Sequence, residues 1–141
     1  RFEGAGEEKY QKWVSKGIRT VREAAKKGKL IALTLSPSEA ALGPPPEKPT
    51  RAQRLDRMKR GLEYALAIYL IAADEGVYFC YHDGYRAERA IWRRWYPAYD
   101  RPLGSPLGPP QQDGATWTRE YEHCRVTLDL EDREAAITWS N

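Results

Sequence analysis

The sequence is poor in several residue types that define common protein classes. Its 141 residues include only two cysteines, Cys80 and Cys124, together with two histidines and one methionine. Two cysteines cannot build the framework of several disulfides that stabilises small secreted domains, so we expect both thiols to be free and buried. No apolar run approaches the roughly 18 residues that span a bilayer. The sequence therefore predicts no membrane partner.

An excess of charge of one sign is also missing. The 23 basic and 20 acidic residues leave a net charge of +3, which gives no general attraction to nucleic acid. Basic residues do cluster on a predicted helix and in a later tryptophan-containing segment, at Arg51, Arg54, Arg57, Lys59, Arg60, Arg86, Arg89, Arg93 and Arg94. Arginines among aromatic rings can bind single-stranded nucleic acid. A solvated helix face explains the first cluster equally, so nucleic acid is the less favoured partner.

Aromatic residues with a polar edge are abundant. Five tryptophans and nine tyrosines stand against two phenylalanines, and such rings suit sites that are partly exposed to water. Hydrophobic residues make up 41% of the chain, which argues for a folded domain rather than a disordered tail.

The first two thirds of the chain alternate between strand and helix patterns. The predicted elements are the end of a strand at 2–4, a helix at 7–27, a strand at 30–35, a helix at 51–73 and a strand at 77–82. The strand at 30–35 has no polar alternation, which is typical of a parallel strand covered on both faces by helices. Alternating strands and long helices predict parallel βαβ units in a doubly wound or barrel fold.

The last third has a different pattern. A short helix is predicted from Arg86 to Tyr96, and a proline- and glycine-rich passage follows. Alternating apolar and polar positions then predict antiparallel strands at 115–121, 125–130 and 135–139.

These patterns predict an α/β fold, the C-terminal part of a (β/α)8 TIM-type barrel followed by a short antiparallel β tail. Residues 1–96 would form the partial barrel, 97–114 a connection, and 115–141 terminal strands packed on the barrel. A complete barrel needs about 250 residues. We therefore expect the N-terminal barrel portion of a parent chain to precede Arg1.

Three carboxylates are candidate catalytic groups, because reactive side chains in barrels follow the C-terminal ends of strands. Glu3 and Asp83 each follow a predicted strand and precede a glycine, whereas Glu120 lies within a predicted strand beside Arg119. Glycosidases commonly use two carboxyl groups, one as proton donor and one as nucleophile or base. The alternative for each residue is a turn or a surface ion pair.

Aromatic and polar residues crowd around Asp83 and predict a sugar-binding surface. The candidate substrate-binding residues are Tyr78, Tyr81, His82, Tyr85, Trp92, Trp95, Tyr96 and Arg119. Aromatic faces stack on the C–H faces of pyranose rings, while polar groups bind hydroxyls. A packed aromatic core beneath the proline-rich loop is an equally good interpretation.

A zinc site is a weaker interpretation of Cys80, His82, His123 and Cys124. Adjacent residues such as His123 and Cys124 point to opposite faces of a strand, and paired CxxC spacing is missing. No metal or other cofactor is predicted.

A series of short motifs resembles a known family. The motifs are Tyr69-Leu70-Ile71-Ala72-Ala73, Tyr78-Phe79, Trp95-Tyr96-Pro97, Pro102-Leu103-Gly104, Pro106-Leu107-Gly108 and Thr118-Arg119-Glu120-Tyr121-Glu122-His123. In this order they resemble the C-terminal region of hypothetical glycoside hydrolase-like TIM-barrel proteins, over roughly residues 60 to 141. The resemblance implies hydrolysis of an oligo- or polysaccharide by carboxylate acid/base catalysis, with the second carboxylate upstream. A non-catalytic carbohydrate-binding or structural domain is the alternative.

Overall fold

The computed structural model describes residues 6–84 and 94–140. Its elements, in chain order, are α1 (Glu7–Lys26), β1 (Ile31–Leu35), α2 (Glu39–Leu42), α3 (Arg51–Ala72), β2 (Val77–Tyr81), a 3₁₀ helix (Pro97–Asp100), β3 (Gln111–Asp113), β4 (Thr116–Glu120), β5 (Cys124–Asp129) and β6 (Glu134–Trp139). The helices and strands predicted between residues 7 and 82, and the three tail strands, are confirmed within one or two residues.

The central helix α3 begins at a complete capping box. The Thr50 hydroxyl accepts a hydrogen bond from the Gln53 amide, and the Gln53 side chain accepts one from the Thr50 amide. These two bonds satisfy backbone donors that an isolated helix leaves unpaired. The buried residues of α3 all lie between Met58 and Ala72, so the second part of this helix enters the interior and the first turns stay near the surface.

Strands β1 and β2 form a parallel pair connected by α3. Ile31 is paired with Val77 and Leu35 with Tyr81, and the His82 amide extends the pairing by donating to the Leu35 carbonyl at 3.2 Å. The C-terminal ends of both strands therefore lie at the same edge.

The two faces of β1 differ in exposure. Ile31, Leu33 and Leu35 are half-buried, whereas Ala32 and Thr34 are exposed. The prediction that this strand is covered on both faces is wrong. Ala32 and Thr34 are small and carry no charge, so the sequence of the strand shows no clear alternation of apolar and polar residues. Their face is nevertheless exposed to solvent.

Strands β3 to β6 form a separate antiparallel sheet in simple sequential order. One face of this sheet is buried, because buried and more exposed residues alternate along its strands. The buried residues include Trp117 and Arg119 of β4 and Val126 and Leu128 of β5. This face packs against α3, and its side chains share one apolar core with α1 and α3. Helix α3 thus contacts both sheets.

The prediction of a TIM-type barrel portion is wrong. The described residues form a small α/β domain with a two-stranded parallel sheet and a four-stranded antiparallel sheet. The alternation of strands and helices identified one βαβ unit, but that unit occurs in many α/β architectures. The antiparallel strands also pack on α3 and share its core, rather than capping a barrel.

Two further predictions concern the N-terminal residues and the region around residue 90. The predicted strand end at 2–4 lies outside the described residues, as does most of the predicted helix from Arg86 to Tyr96. Residues 94–96 of that segment are not helical. Within the described part of the chain, no helix combines the length and the apolar character needed to cross a membrane.

Candidate functional site

Asp83 is a largely buried carboxylate at the C-terminal end of β2. Its side chain is only 10% exposed, and Oδ2 accepts a hydrogen bond from Nη1 of Arg54 at 3.2 Å. The other oxygen, Oδ1, is buried and has no hydrogen-bond partner among the described residues. Arg54 projects from the first half of α3, so an ion pair joins the helix to the strand end. Among the described residues, this buried carboxylate with one unpaired oxygen is the candidate for acid/base chemistry at the end of β2.

Aromatic rings surround this strand end. The rings of Tyr81 and Tyr96 meet at 65° with centroids 6.2 Å apart, and Tyr99 contacts Tyr96 edge-on at 5.7 Å. Phe79 stacks on Tyr81 at 5.9 Å. Tyr81 and Tyr96 are both buried. These two predicted substrate-binding residues therefore pack as core aromatic residues next to Asp83.

Two other predicted binding residues remain open to solvent. The exposed fractions of Tyr78 and Trp95 are 63% and 66%, and Trp95 rests edge-on against Tyr99 at 5.1 Å. The sequence left open whether the aromatic residues form a sugar-binding surface or a packed core. In the structure, Tyr81 and Tyr96 belong to a packed core, whereas the sugar-binding role of the exposed Tyr78 and Trp95 stays a prediction.

His82 is held by the backbone at the same edge. It is buried, and its Nδ1 accepts a hydrogen bond from the Gly84 amide at 3.1 Å. This bond fixes the ring beside Asp83. His82 therefore supports the turn that carries the carboxylate.

Glu120 and Arg119 lie on the antiparallel sheet, not at the end of β2. The Glu120 carboxylate is 59% exposed and pairs with Arg125 at 3.6 Å. Arg119 is buried and donates to the carbonyls of Leu70, Ile71 and Ala73 at the end of α3. This geometry favours a surface ion pair for Glu120 and a helix-capping role for Arg119.

Three predicted site residues, Glu3, Tyr85 and Trp92, lie outside the described residues. Conversely, the sequence does not single out Arg54, because this residue belongs to a basic helix face. Arg57 of the same face donates to the Gly43 carbonyl, and Arg60 pairs with Asp56 at 2.7 Å. Three of the five basic residues on α3 are thus engaged within the chain.

The two cysteines are far apart in the topology. Cys80 is exposed on β2, and Cys124 is buried on β5, and both are free thiols. The expectation of free thiols is confirmed, whereas burial holds only for Cys124. Over residues 6–84 and 94–140, no group of three or more histidine, cysteine or acidic residues could hold a metal ion.

A groove of about 660 Å³ lies between α1, β1 and α3. Its walls are mostly aliphatic and include Val14, Ile18, Leu33 and Ile68, with Trp13 also in the lining. Polar side chains also line this groove, namely Tyr10, Thr34, Ser36, Ser38, Glu39, Tyr64 and Arg133. The groove is therefore a second candidate binding site, whereas the buried Asp83 carboxylate makes the end of β2 the candidate for hydrolytic chemistry.

The model of a protein family described as hypothetical glycosyl hydrolase family 15 matches residues 1–125. The match includes Asp83 and the whole βαβ unit, and extends upstream of the motifs at 60–141 that carried the resemblance. No curated protein matches the chain.

Proposed function

The chain belongs to the hypothetical glycosyl hydrolase family 15, and from this premise we propose that it acts in the hydrolysis of glycosidic bonds in an oligo- or polysaccharide. The observation that carries the proposal is the Asp83 carboxylate. It is buried at a strand end, anchored through one oxygen by Arg54, and has no partner for its other oxygen within the described chain. The exposed rings of Tyr78, on β2, and of Trp95, which contacts Tyr99, offer stacking surfaces for sugars.

Hydrolysis of a glycosidic bond by two carboxyl groups requires one to protonate the leaving oxygen and the other to act as nucleophile or base. Arg54 restricts the rotation of the Asp83 carboxylate, so Oδ1 keeps a fixed direction. Asp83 is proposed as one member of the pair. Glu3 remains a candidate for the other, and the exposure of Glu120 makes it the weaker candidate.

The test is an assay of the purified chain on aryl glycosides and on polysaccharides, with release of reducing ends as the measurement. Asp83→Asn keeps the size of the side chain and removes its acid/base capacity. We expect it to lower kcat by about 100-fold or more. Glu3→Gln in the same assay should also lower kcat if it provides the second carboxyl group.

Asp56→Asn is the matched control, because Asp56 is an exposed carboxylate on α3 whose side chain is 65% accessible. Its kcat should stay within about twofold of the original chain. Equal activity of Asp83→Asn and the original chain would remove Asp83 from the mechanism. Absence of hydrolysis across all substrates would reject the enzyme proposal for this chain.

A non-catalytic carbohydrate-binding domain is the second candidate, favoured by the exposure of Tyr78 and Trp95. Retention on glycan columns without turnover would support it. Single-stranded nucleic acid is less favoured, since Arg54, Arg57 and Arg60 already have partners within the chain. Binding of nucleic acid that weakens steeply with added salt would reverse that order.

A further inference from the structure

The groove between α1, β1 and α3 has a polar end, where several of its lining residues contact one another. The hydroxyl groups of Tyr10 and Tyr64 are hydrogen-bonded at 2.7 Å. The guanidinium carbon of Arg133 lies 5.1 Å from the centre of the Tyr10 ring, and Nη1 donates to the Ala40 carbonyl at 3.2 Å. All four residues line the groove. Its polar end therefore lies next to α2, which contains Ala40.

The other end of the groove is apolar. Nη1 of Arg22 donates to the Ala73 carbonyl at 3.1 Å, so α1 and α3 run side by side in the same direction from Tyr10 and Tyr64 onward. Between these two contacts the helices line the groove mostly with aliphatic side chains, which are Val14, Ile18 and Val21 of α1 and Ala65, Ile68 and Ala72 of α3. Because an α-helix rises about 1.5 Å per residue, the wall from Tyr64 to Ala72 is about 12 Å long.

The polar end lies at the edge of the parallel sheet that also carries Asp83. The loop between β1 and α2 lines the groove and includes Pro37. A Cβ atom at Gly61 would lie 3.0 Å from Cα of Pro37 and 2.9 Å from the Tyr81 hydroxyl. Tyr81 is the last residue of β2 and precedes Asp83 by two residues. The loop that borders the groove and the end of β2 therefore meet at one point of α3.

The dimensions and the lining of the groove indicate the class of its ligand. A volume of about 660 Å³ lies within the range of small-molecule sites. The aliphatic wall suits a hydrocarbon chain, because each methylene group removed from water favours binding. Arg133 and Glu39 bring both signs of charge to the lining, so a neutral head group with hydroxyl groups suits the polar end better than an ion.

We propose that the groove binds the hydrocarbon chain of an amphiphilic glycoside and holds its sugar at the polar end. The proposal rests on the glycan-directed function given above and specifies its substrate class as sugars that carry an alkyl or acyl chain. The chain lies between α1 and α3, and the sugar lies at the strand edge that carries Asp83. A free sugar lacks the part of the ligand that the aliphatic wall recognises.

The experiment compares methyl and octyl glycosides of glucose, galactose and mannose on the full chain by isothermal titration calorimetry, below the concentrations at which the octyl compounds form micelles. We expect the octyl glycoside to bind at least about tenfold more tightly than its methyl counterpart, because only the octyl chain buries methylene groups. 1-Octanol should bind more weakly than the octyl glycoside. In isotope-filtered NMR spectra, octyl protons should show nuclear Overhauser contacts to the methyl groups of Val21, Leu33 and Ile68.

Gly17→Phe tests the position of the chain. Gly17 lines the groove from α1 and has open space around its Cβ position, so a phenyl ring there occupies the groove without displacing the backbone. We expect this variant to weaken octyl glycoside binding at least about tenfold. Gly17→Ala is the matched control, because a single methyl group leaves the groove open, and its affinity should stay within about twofold. Both changes replace glycine within a helix, so neither urea midpoint should fall.

Equal affinities for methyl and octyl glycosides would overturn the groove proposal, as would unchanged octyl glycoside binding in Gly17→Phe or Overhauser contacts to other methyl groups only. Hydrolysis of aryl glycosides would in each case leave the proposed function standing. Equal affinities for 1-octanol and the octyl glycosides would overturn the assigned ligand class. Octyl glycosides bound in the groove without any hydrolysis would support the groove proposal and reject the hydrolytic activity.

Discussion

Gly61 lies where α3 closely approaches Tyr81 and Pro37, and the contact depends on the absence of a Cβ atom. A Cβ atom at this position would lie 2.9 Å from the Tyr81 hydroxyl and 3.0 Å from Cα of Pro37. Glycine therefore allows α3 to approach the loop after β1 and the end of β2 together. The same approach brings the Tyr81 hydroxyl to the Met58 carbonyl.

We expect Gly61→Ala to destabilise the protein by about 1–3 kcal/mol, because overpacking must displace backbone at Pro37 as well as a side chain. In an ordinary helix the same change is stabilising by about 0.5–1 kcal/mol. Urea unfolding followed by circular dichroism measures the difference. Gly17→Ala is the control, since Gly17 lies in α1 with open space around its Cβ position, and it should increase stability. A stabilising Gly61→Ala would show that the contact is not tight.

At the residue scale, the sequence predicts the position of Asp83 but not the position of its partner. The position of Asp83 after a strand could be predicted from the sequence because it is a local pattern, whereas its catalytic role stays a prediction. Its partner Arg54 is 29 residues away, and only folding brings the two together. Trp95 and Tyr96 are adjacent and chemically similar, yet one is exposed and the other is buried. Local sequence carries no signal that separates them.

At the scale of elements, the end of α3 depends on a side chain from the antiparallel sheet. Arg119 places its guanidinium among three carbonyls of the last turn of α3 and also donates to Gly108 at 3.3 Å. Burial lowers the pKa of Arg119, and the negative end of the helix dipole offsets this cost by favouring its positive charge. The residue therefore attaches β4 to α3.

Arg119→Met should lower the free energy of unfolding by about 2–3 kcal/mol, because buried carbonyls lose charged hydrogen bonds. Arg125→Met is the comparison, since Arg125 pairs with Glu120 at a site where both side chains are more than half exposed. It should cost less than about 1 kcal/mol. Equal losses in urea unfolding would show that the buried cap contributes little.

The bounds of the elements were predictable because their signals are local. The helical periodicity of 7–27 and the alternation of 125–130 correspond to α1 and β5. The assembly of the elements was not predictable from those signals. Each strand pattern is compatible with several neighbours, and only the packing of both sheets on α3 excludes the barrel.

At the scale of the whole molecule, buried phenols link stability to pH. Burial raises the pKa of Tyr99 and of Tyr121 to about 12, and it also raises the pKa values of Tyr64 and Tyr81. The folded state therefore holds these protons more tightly than the unfolded chain, whose phenols titrate near about pH 10. Their contribution is complete below that pH and is lost as the pH rises towards 12.

We expect the free energy of unfolding to fall steeply between about pH 10 and pH 12, with tyrosinate absorbance appearing together with unfolding. Urea titrations across this range measure the fall. Tyr121→Phe should flatten part of the pH dependence, because it removes one of the shifted groups. A constant free energy up to about pH 12 would contradict the prediction.

The contrast between the two cysteines has a practical consequence. Cys80 is exposed on β2, three residues before Asp83, whereas burial raises the pKa of the Cys124 thiol and shields it. Thiol reagents act on the exposed thiolate, so the unaltered chain carries one selectively addressable position. A fluorophore attached there would sit beside the end of β2 without any mutation. The protein thus already contains an attachment point for an optical probe that would test the proposed saccharide binding.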